Sequence, residues 1–215
     1  MKNKELQLIK DLVYSELINN IEKTYELPAN YEQRSIGDRY EGKCVEIIKN
    51  INNKLIINTK GRRSKKSLED VTLITSNYKI YIDPKTVDVT PDLPTSEVKK
   101  FSMPNLTAIR KLKHEIFTTE DTEVLYISLK YLIEDNILKI QKIELFYVWE
   151  LDLDYTRFGN LGRGQLQIKN ARNEIKLNEY TRNEWWNKFV KKINDEYIPT
   201  LLKNYQKEIK FWQQK

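Results

Sequence analysis

Two aspartates, a lysine and a more distant glutamate are the residues whose types and spacing could do chemistry. In LEDVTLITSNYKIYIDPKTVDV, residues 68–89, Val71, Leu73, Ile80 and Ile82 alternate as one apolar set, and Ser76-Asn77 supplies a turn between the runs. The pattern predicts a β-hairpin. Side chains alternate faces along a strand, so Asp70, Asp83 and Lys85 fall together on the face opposite that set. Assembling two carboxylates and an amine there is costly unless something binds. A divalent metal and a phosphodiester would explain all three. Mg2+ is a hard cation that takes one or two carboxylates plus waters and phosphate oxygens, and Asp70 and Asp83 are its expected ligands. Lys85 would orient or deprotonate an attacking water and offset charge in the transition state. Glu41 would assist through a metal-bound water or a second ion.

The bare pattern acid-x-Lys carries little information, since it occurs five times, at Glu41, Asp83, Glu97, Glu174 and Glu208. Context singles out Asp83: a strand, an aspartate across the hairpin, and a preceding helix with a glutamate beside its apolar stripe. The alternative makes Asp70 and Asp83 solvent-facing residues of an edge hairpin, with Lys85 as their ion-pair partner. Pro84 suits such an edge, or a bulge that aims Lys85 at the site.

The elements that would position these groups are predicted from periodicity. Leu6, Ile9, Val13, Leu17, Ile21 and Tyr25 give an amphipathic helix over Lys4–Tyr25, ended by Pro28 and Asn30. A second helix is predicted over Ile36–Ile51, with Tyr40, Cys44, Ile47, Ile48 and Ile51 as its stripe. KLIIN, 54–58, reads as a strand, followed by a basic loop holding Arg62, Arg63, Lys65 and Lys66 that could track a phosphate backbone. Pro91, Pro94 and Pro104 mark an irregular link, after which Asn105 would cap a helix containing Leu106, Ile109, Leu112 and Ile116. His114 on that helix reads as a surface residue. Residues 123–133 and 136–148 are two β-rich runs joined near Glu134-Asp135-Asn136. A capping box, Thr181 with Glu184, opens a helical region to Trp212 that Pro199 should bend or break. Helices around a mixed sheet make the expected class α/β or α+β, in a single domain over 1–215.

Gly37-x-x-x-Glu41 on a helix, then Asp70, then IDPKT, resembles the PD-(D/E)XK arrangement of type II restriction endonucleases, most of all the EcoRV- and SwaI-like group. The motif-bearing match spans about residues 34–90, and QLQIK with TRNEWWNKFVKK extends it loosely over 165–195. The resemblance implies a restriction-endonuclease-like fold with Asp70, Asp83 and Glu41 serving Mg2+ and Lys85 serving the water. It further implies a homodimer that cuts both strands of a specific, palindromic double-stranded DNA to leave 5′-phosphate and 3′-hydroxyl ends. A partner DNA methyltransferase in the host is implied as well. Glu69 stands where such enzymes carry a proline, and Pro84 where they carry an aliphatic residue.

Reading DNA requires side chains with paired donors and acceptors, Arg for guanine and Asn or Gln for adenine. Residues 155–175 are rich in them and hold three of the six glycines. If QLQIK is a strand, Gln165, Gln167 and Lys169 share a face while Leu166 and Ile168 pack inward. Arg163, Gln165, Gln167, Lys169, Asn160 and Asn170 are the expected DNA contacts, and Gly159, Gly162 and Gly164 would let the loop approach the duplex.

Composition narrows the classes. Lysine plus arginine number 37 against 31 acids, a net +6 that is compatible with a polyanionic partner. One cysteine, Cys44, excludes an internal disulfide and a cysteine zinc site, and one histidine removes most Ser–His and Cys–His schemes. No apolar run is long enough for a membrane span, and the first residues carry no export signal, so a cytoplasmic enzyme is expected. Two other readings remain: a nonspecific or structure-selective repair nuclease, and a noncatalytic DNA-binding protein.

Overall fold

The computed structural model describes residues 4–63, 68–91, 105–116, 119–159, 164–169 and 171–213. Its centre is a six-stranded mixed sheet in the order β1-β7-β6-β4-β3-β2, beside a three-stranded sheet in the order β5-β9-β8. The strands are β1 (Thr24–Glu26), β2 (Asn58–Gly61), β3 (Val71–Ile74), β4 (Lys79–Asp88), β5 (Asn105–Ala108), β6 (Thr122–Glu134), β7 (Ile137–Tyr147), β8 (Thr156–Gly159) and β9 (Gln165–Ile168). Among the described residues of the large sheet, β4 and β6 are the only neighbours that run parallel. Every residue of β6 from Thr122 to Tyr131 is buried, on both faces of the sheet, and the polar ones among them include Glu123, which accepts from Trp149 Nε1, and Lys130, which is paired with Glu144.

Helices flank this sheet. On α1 (Lys4–Asn20), Leu6, Ile9, Val13 and Leu17 form one buried stripe against β7. On α2 (Gln33–Lys49), Ile36, Tyr40, Cys44 and Ile48 recur every fourth residue, and all are buried where the helix crosses β4 and β2. The β6–β7 hairpin turns at Asp135 and Asn136, both at positive φ (50° and 62°), a conformation that Asp and Asn tolerate better than most residues. The architecture is the expected mixed α+β class.

Four expected boundaries move. The first helix ends at Asn20, and Tyr25 lies on β1 instead, paired with Leu138 and covered by the Arg39 guanidinium 3.8 Å from its ring centre. Residues 54–58 are mostly not a strand: Asn53 accepts from the Leu55 and Ile56 N–H groups and holds a turn there, so β2 starts only at Asn58. Asn105, expected to cap a helix, lies on a strand instead. It begins β5, which pairs with β9, and the helix α3 (Ile109–Glu115) follows. The C-terminal region divides into α4 (Arg182–Lys192), a wider turn at Ile193–Tyr197 and α5 (Ile198–Gln213). Pro199 lacks the N–H that the fourth residue back would accept, and the chain widens one turn rather than breaking. The capping box is present: Glu184 Oε2 accepts from the Thr181 N–H at 2.8 Å, and Thr181 Oγ1 accepts from the Glu184 N–H at 3.3 Å. His114 lies on α3, but its side chain is outside the described ones. Among the described residues no helix is long and apolar enough to cross a membrane.

Candidate active site

β3 and β4 pair as the alternation predicts, Val71 opposite Ile82 and Leu73 opposite Ile80, with all four side chains buried. Asp70 precedes β3, and its N–H donates to the Ile82 carbonyl at 3.0 Å, which extends the ladder by one step and sets Asp70 level with Asp83 in the middle of β4. Asp83 is buried, and Lys85 Nζ donates to its Oδ1 at 2.5 Å and to the Pro84 carbonyl at 3.2 Å. One ammonium therefore sits on two oxygens of β4. Pro84 causes no break; β4 stays in register with β6 on either side of it.

Glu41 arrives from α2. Its Oε1 accepts from the Thr86 N–H at 3.3 Å, so the helix is tied to β4 one residue beyond Lys85. Gly37, one turn earlier on the same face, permits this approach. A Cβ there would stand 2.9 Å from Thr86 Oγ1. The structure thus sets Lys85 on Asp83, with Asp70 and Glu41 close enough to act on both electrostatically, and ties Glu41 to β4 at the Thr86 N–H.

The electrostatics follow from that crowding. Burial pushes the Asp83 carboxyl up to about 7; the Lys85 ammonium pulls the other way, and Asp70 and Glu41 add to the rise. Burial also raises Glu41, against the opposing pull of Lys85 and the Thr86 N–H. For Lys85, burial alone would lower the ammonium pKa, but the carboxylates of Asp83, Glu41 and Asp70 outweigh it and hold it above its ordinary value. Lys85 is a cation at neutral pH.

Residues without a local sequence signal complete the surroundings. Glu69 is fully buried and receives Arg63 Nε at 2.7 Å, while Arg63 also lies over the Tyr81 ring. Burial would raise Glu69, yet its hydrogen bonds with Arg63 prevail and keep it below the usual carboxylate range. Arg62 reaches Asp70 at 3.4 Å. Two of the four cations of the basic loop are thus drawn toward acids of the hairpin, and Lys65 and Lys66 lie outside the described residues. The parallel pairing of β4 with β6 places Tyr126 beside Asp83 and Ser128 beside Lys85. Ser128 Oγ is buried and has no hydrogen-bond partner among the described residues.

The expected DNA-reading segment forms β8 and β9. Leu166 and Ile168 are buried, whereas Gln165 and Gln167 are half-buried on the opposite face and Lys169 is exposed, as the alternation requires. Gln167 Oε1 accepts from Arg157 Nε at 3.2 Å, and Lys169 Nζ donates to the Asp154 carbonyl at 2.9 Å. A Cβ at Gly159 would fall within 2.3 Å of the Gln167 amide, the far end of a flexible side chain that would have to move aside. Gly164 adopts positive φ. Arg172 is spent within the fold, donating to the Thr90 carbonyl just past β4. Asn160, Gly162, Arg163 and Asn170 lie outside the described residues.

Mg2+ was expected at Asp70, Asp83 and Glu41. Among the described residues no group of three or more His, Cys, Asp or Glu side chains is disposed to hold an ion. Mg2+ commonly takes only one or two protein carboxylates, however, with water and phosphate completing its six positions. Asp83 Oδ1 and the Pro84 carbonyl already converge on one cation, the Lys85 ammonium, and Asp70 lies near enough to act on Asp83 electrostatically. This hard-oxygen donor set fits a small divalent ion.

Comparison with known proteins adds a solved structure. The chain is similar to the NlaIV restriction endonuclease. The two superpose with a TM-score of 0.48 at 14% identity, over 81% of this chain and 71% of that one. At this level the likeness concerns the chain path alone. No family model matches the chain, and no curated protein does.

Proposed function

We propose that this protein is a Mg2+-dependent type II restriction endonuclease, cutting both strands of a specific double-stranded DNA and acting as a homodimer. The observation that supports this best is the convergence of Asp83, Lys85, Asp70 and Glu41 at the junction of β3, β4 and α2. Mg2+, when bound, supplies a hard positive charge for the non-bridging phosphate oxygens and acidifies a water. Asp83 and Asp70 would hold it, with the Pro84 carbonyl as a further oxygen donor. Glu41, which accepts from the Thr86 N–H, would bind a water at the site's edge. Lys85, kept protonated by three carboxylates, acts first as an ammonium: it donates to the attacking water or the scissile phosphate and offsets charge as the pentacoordinate state forms. Gln165 and Gln167 on β9 would read base edges, and Lys169 would contact phosphate. A host with such an enzyme needs a methyltransferase to protect its own DNA.

Incubating the purified protein with phage DNA and Mg2+ tests the reading. Discrete fragments that vanish with EDTA are expected, with 5′-phosphate and 3′-hydroxyl ends. Asp83→Ala and Lys85→Ala should each lower cleavage by about 10²-fold or more while leaving the far-ultraviolet spectrum intact. A smear would assign the site to a nonspecific or structure-selective nuclease. Salt-sensitive binding without scission at any metal concentration would leave a noncatalytic DNA-binding protein.

A further inference from the structure

Helix α5 buries none of its residues in the monomer. Its large apolar side chains are nevertheless ordered along it. Ile198, Leu202, Tyr205, Ile209 and Trp212 follow one another at spacings of four, three, four and three residues, the interval that keeps side chains on a single seam facing a second helix. These five are 40%, 56%, 59%, 54% and 78% exposed. On α4 the corresponding apolar residues, Trp185 and Phe189, are buried against the body of the protein. The same chain thus switches, past the widened turn, from a stripe that is covered to one that is not.

We propose that α5 is a self-association element, its seam packing against the same seam of a second copy of this chain. The inference does not rest on the nuclease reading; it stands on the spacing and the exposure. Three observations favour a second copy over another occupant. The seam carries no charge, and Lys203, Lys207 and Lys210 all lie off it, so two copies meet without like charges in contact. In an antiparallel pair Trp212 meets Leu202 and Tyr205 meets Ile209, large against small on both sides of the two-fold axis, while Ile198 lies at the outer end of the seam with no seam residue facing it. With large side chains of about 200 Å² each, the seam exposes roughly 600 Å² per copy, so a pair hides on the order of 1,200 Å², the lower bound of specific interfaces.

Sedimentation of the full chain across a wide concentration range tests the proposal, compared with the variant Leu202→Glu/Ile209→Glu. The parent is expected to sediment as a dimer. The variant should sediment as a monomer with unchanged circular dichroism, because neither residue is buried within the monomer, and its thermal midpoint should lie below the parent's and no longer rise with concentration. Chains carrying Tyr205→Cys and Ile209→Cys, mixed and oxidised, should cross-link to each other; cross-linking of each only to itself overturns the antiparallel register. A parent that stays monomeric throughout, or a variant that stays dimeric, overturns the proposal. So does a monomeric parent that cosediments with phosphatidylserine vesicles, which would hand the amphipathic helix to a lipid surface. If the dimer forms and no DNA is cut, the nuclease reading fails alone.

Discussion

Burial raises the Asp83 carboxyl and would deprotonate Lys85, yet the short contact between them keeps the ammonium charged. If the site takes Mg2+ as proposed, its readiness for the ion would depend on pH. The Asp83 carboxyl titrates at about 7 in the fold against an ordinary 3.8, so between those values the ion-free fold holds a proton that the unfolded chain has released. The stability contributed by that proton is complete below the ordinary value and is lost as pH rises through about 7. Mg2+ needs the carboxylate, so its binding competes with the proton below about 7 and is relieved of that competition above it. The expected outcome is a thermal shift on adding Mg2+ that is larger at pH 8 than at pH 6. Asp83→Asn should remove both the shift and its pH dependence. Glu123, which burial also raises to about 7, stays in that variant as an internal control, since it lies in a different environment with Trp149 and Arg182. A shift equal at both pH values would separate Asp83 from metal binding.

At the scale of elements, the site depends on α2 lying close to β4, and Gly37 sets that distance. Gly37→Ala gains about 1 kcal/mol in helix propensity, but it overpacks against Thr86 Oγ1, at a cost of about 1–3 kcal/mol. A net loss of stability of about 1 kcal/mol is expected. Cleavage should fall as well, because the shift lifts Glu41 from the Thr86 N–H. Thr86→Ala in the Gly37→Ala background removes the obstructing oxygen and should restore part of both, which a double-mutant cycle by urea unfolding would measure. A Gly37→Ala protein more stable and as active as the parent would show that the close approach is unimportant. The same region marks how far the sequence could be read. The β3–β4 hairpin was legible because alternation and a polar turn are local signals, and Gly37-x-x-x-Glu41 was legible as a motif. That Thr86 is the residue meeting both was not, since the contact joins residues more than forty positions apart. Tyr126 and Ser128 escaped for a related reason: only the parallel register of β4 with β6 brings them beside Asp83 and Lys85. β5 was misread as a capped helix start because its strand character comes from pairing with β9, nearly sixty residues on, and not from its own pattern. Glu69 read as a departure from a motif; its partner Arg63 lies in a loop whose charges gave no hint of which would turn inward.

Across the whole molecule, the candidate chemistry and the candidate reading surface lie on different sheets. Asp83 and Lys85 sit on β4 of the six-stranded sheet, and Gln165 and Gln167 on β9 of the three-stranded one, which the Arg172 contact to the Thr90 carbonyl and the Lys130 contact to the Asn173 carbonyl, at 2.9 Å, tie to the larger sheet. Two sheets joined by a few fixed contacts allow catalysis and recognition to be changed separately. Asp83→Ala should therefore bind a cognate duplex as tightly as the parent and fail only to cut it. Gln165→Ala with Gln167→Ala should do the reverse. Each bidentate contact to a base edge is worth about 1–3 kcal/mol of discrimination, so the double variant should lose much of its preference for cognate over unrelated DNA. The slope of its affinity against salt should be unchanged, because neither glutamine neutralises a phosphate. Arg157, hydrogen-bonded to Gln167, must then find a new orientation, and Arg157→Ala offers a check that the loss comes from the amides and not from a displaced guanidinium. Competition binding with cognate and scrambled duplexes at several salt concentrations separates these cases. If the glutamine variant keeps full discrimination, base reading resides elsewhere than on β9, while the assignment of the metal site on β4 is untouched.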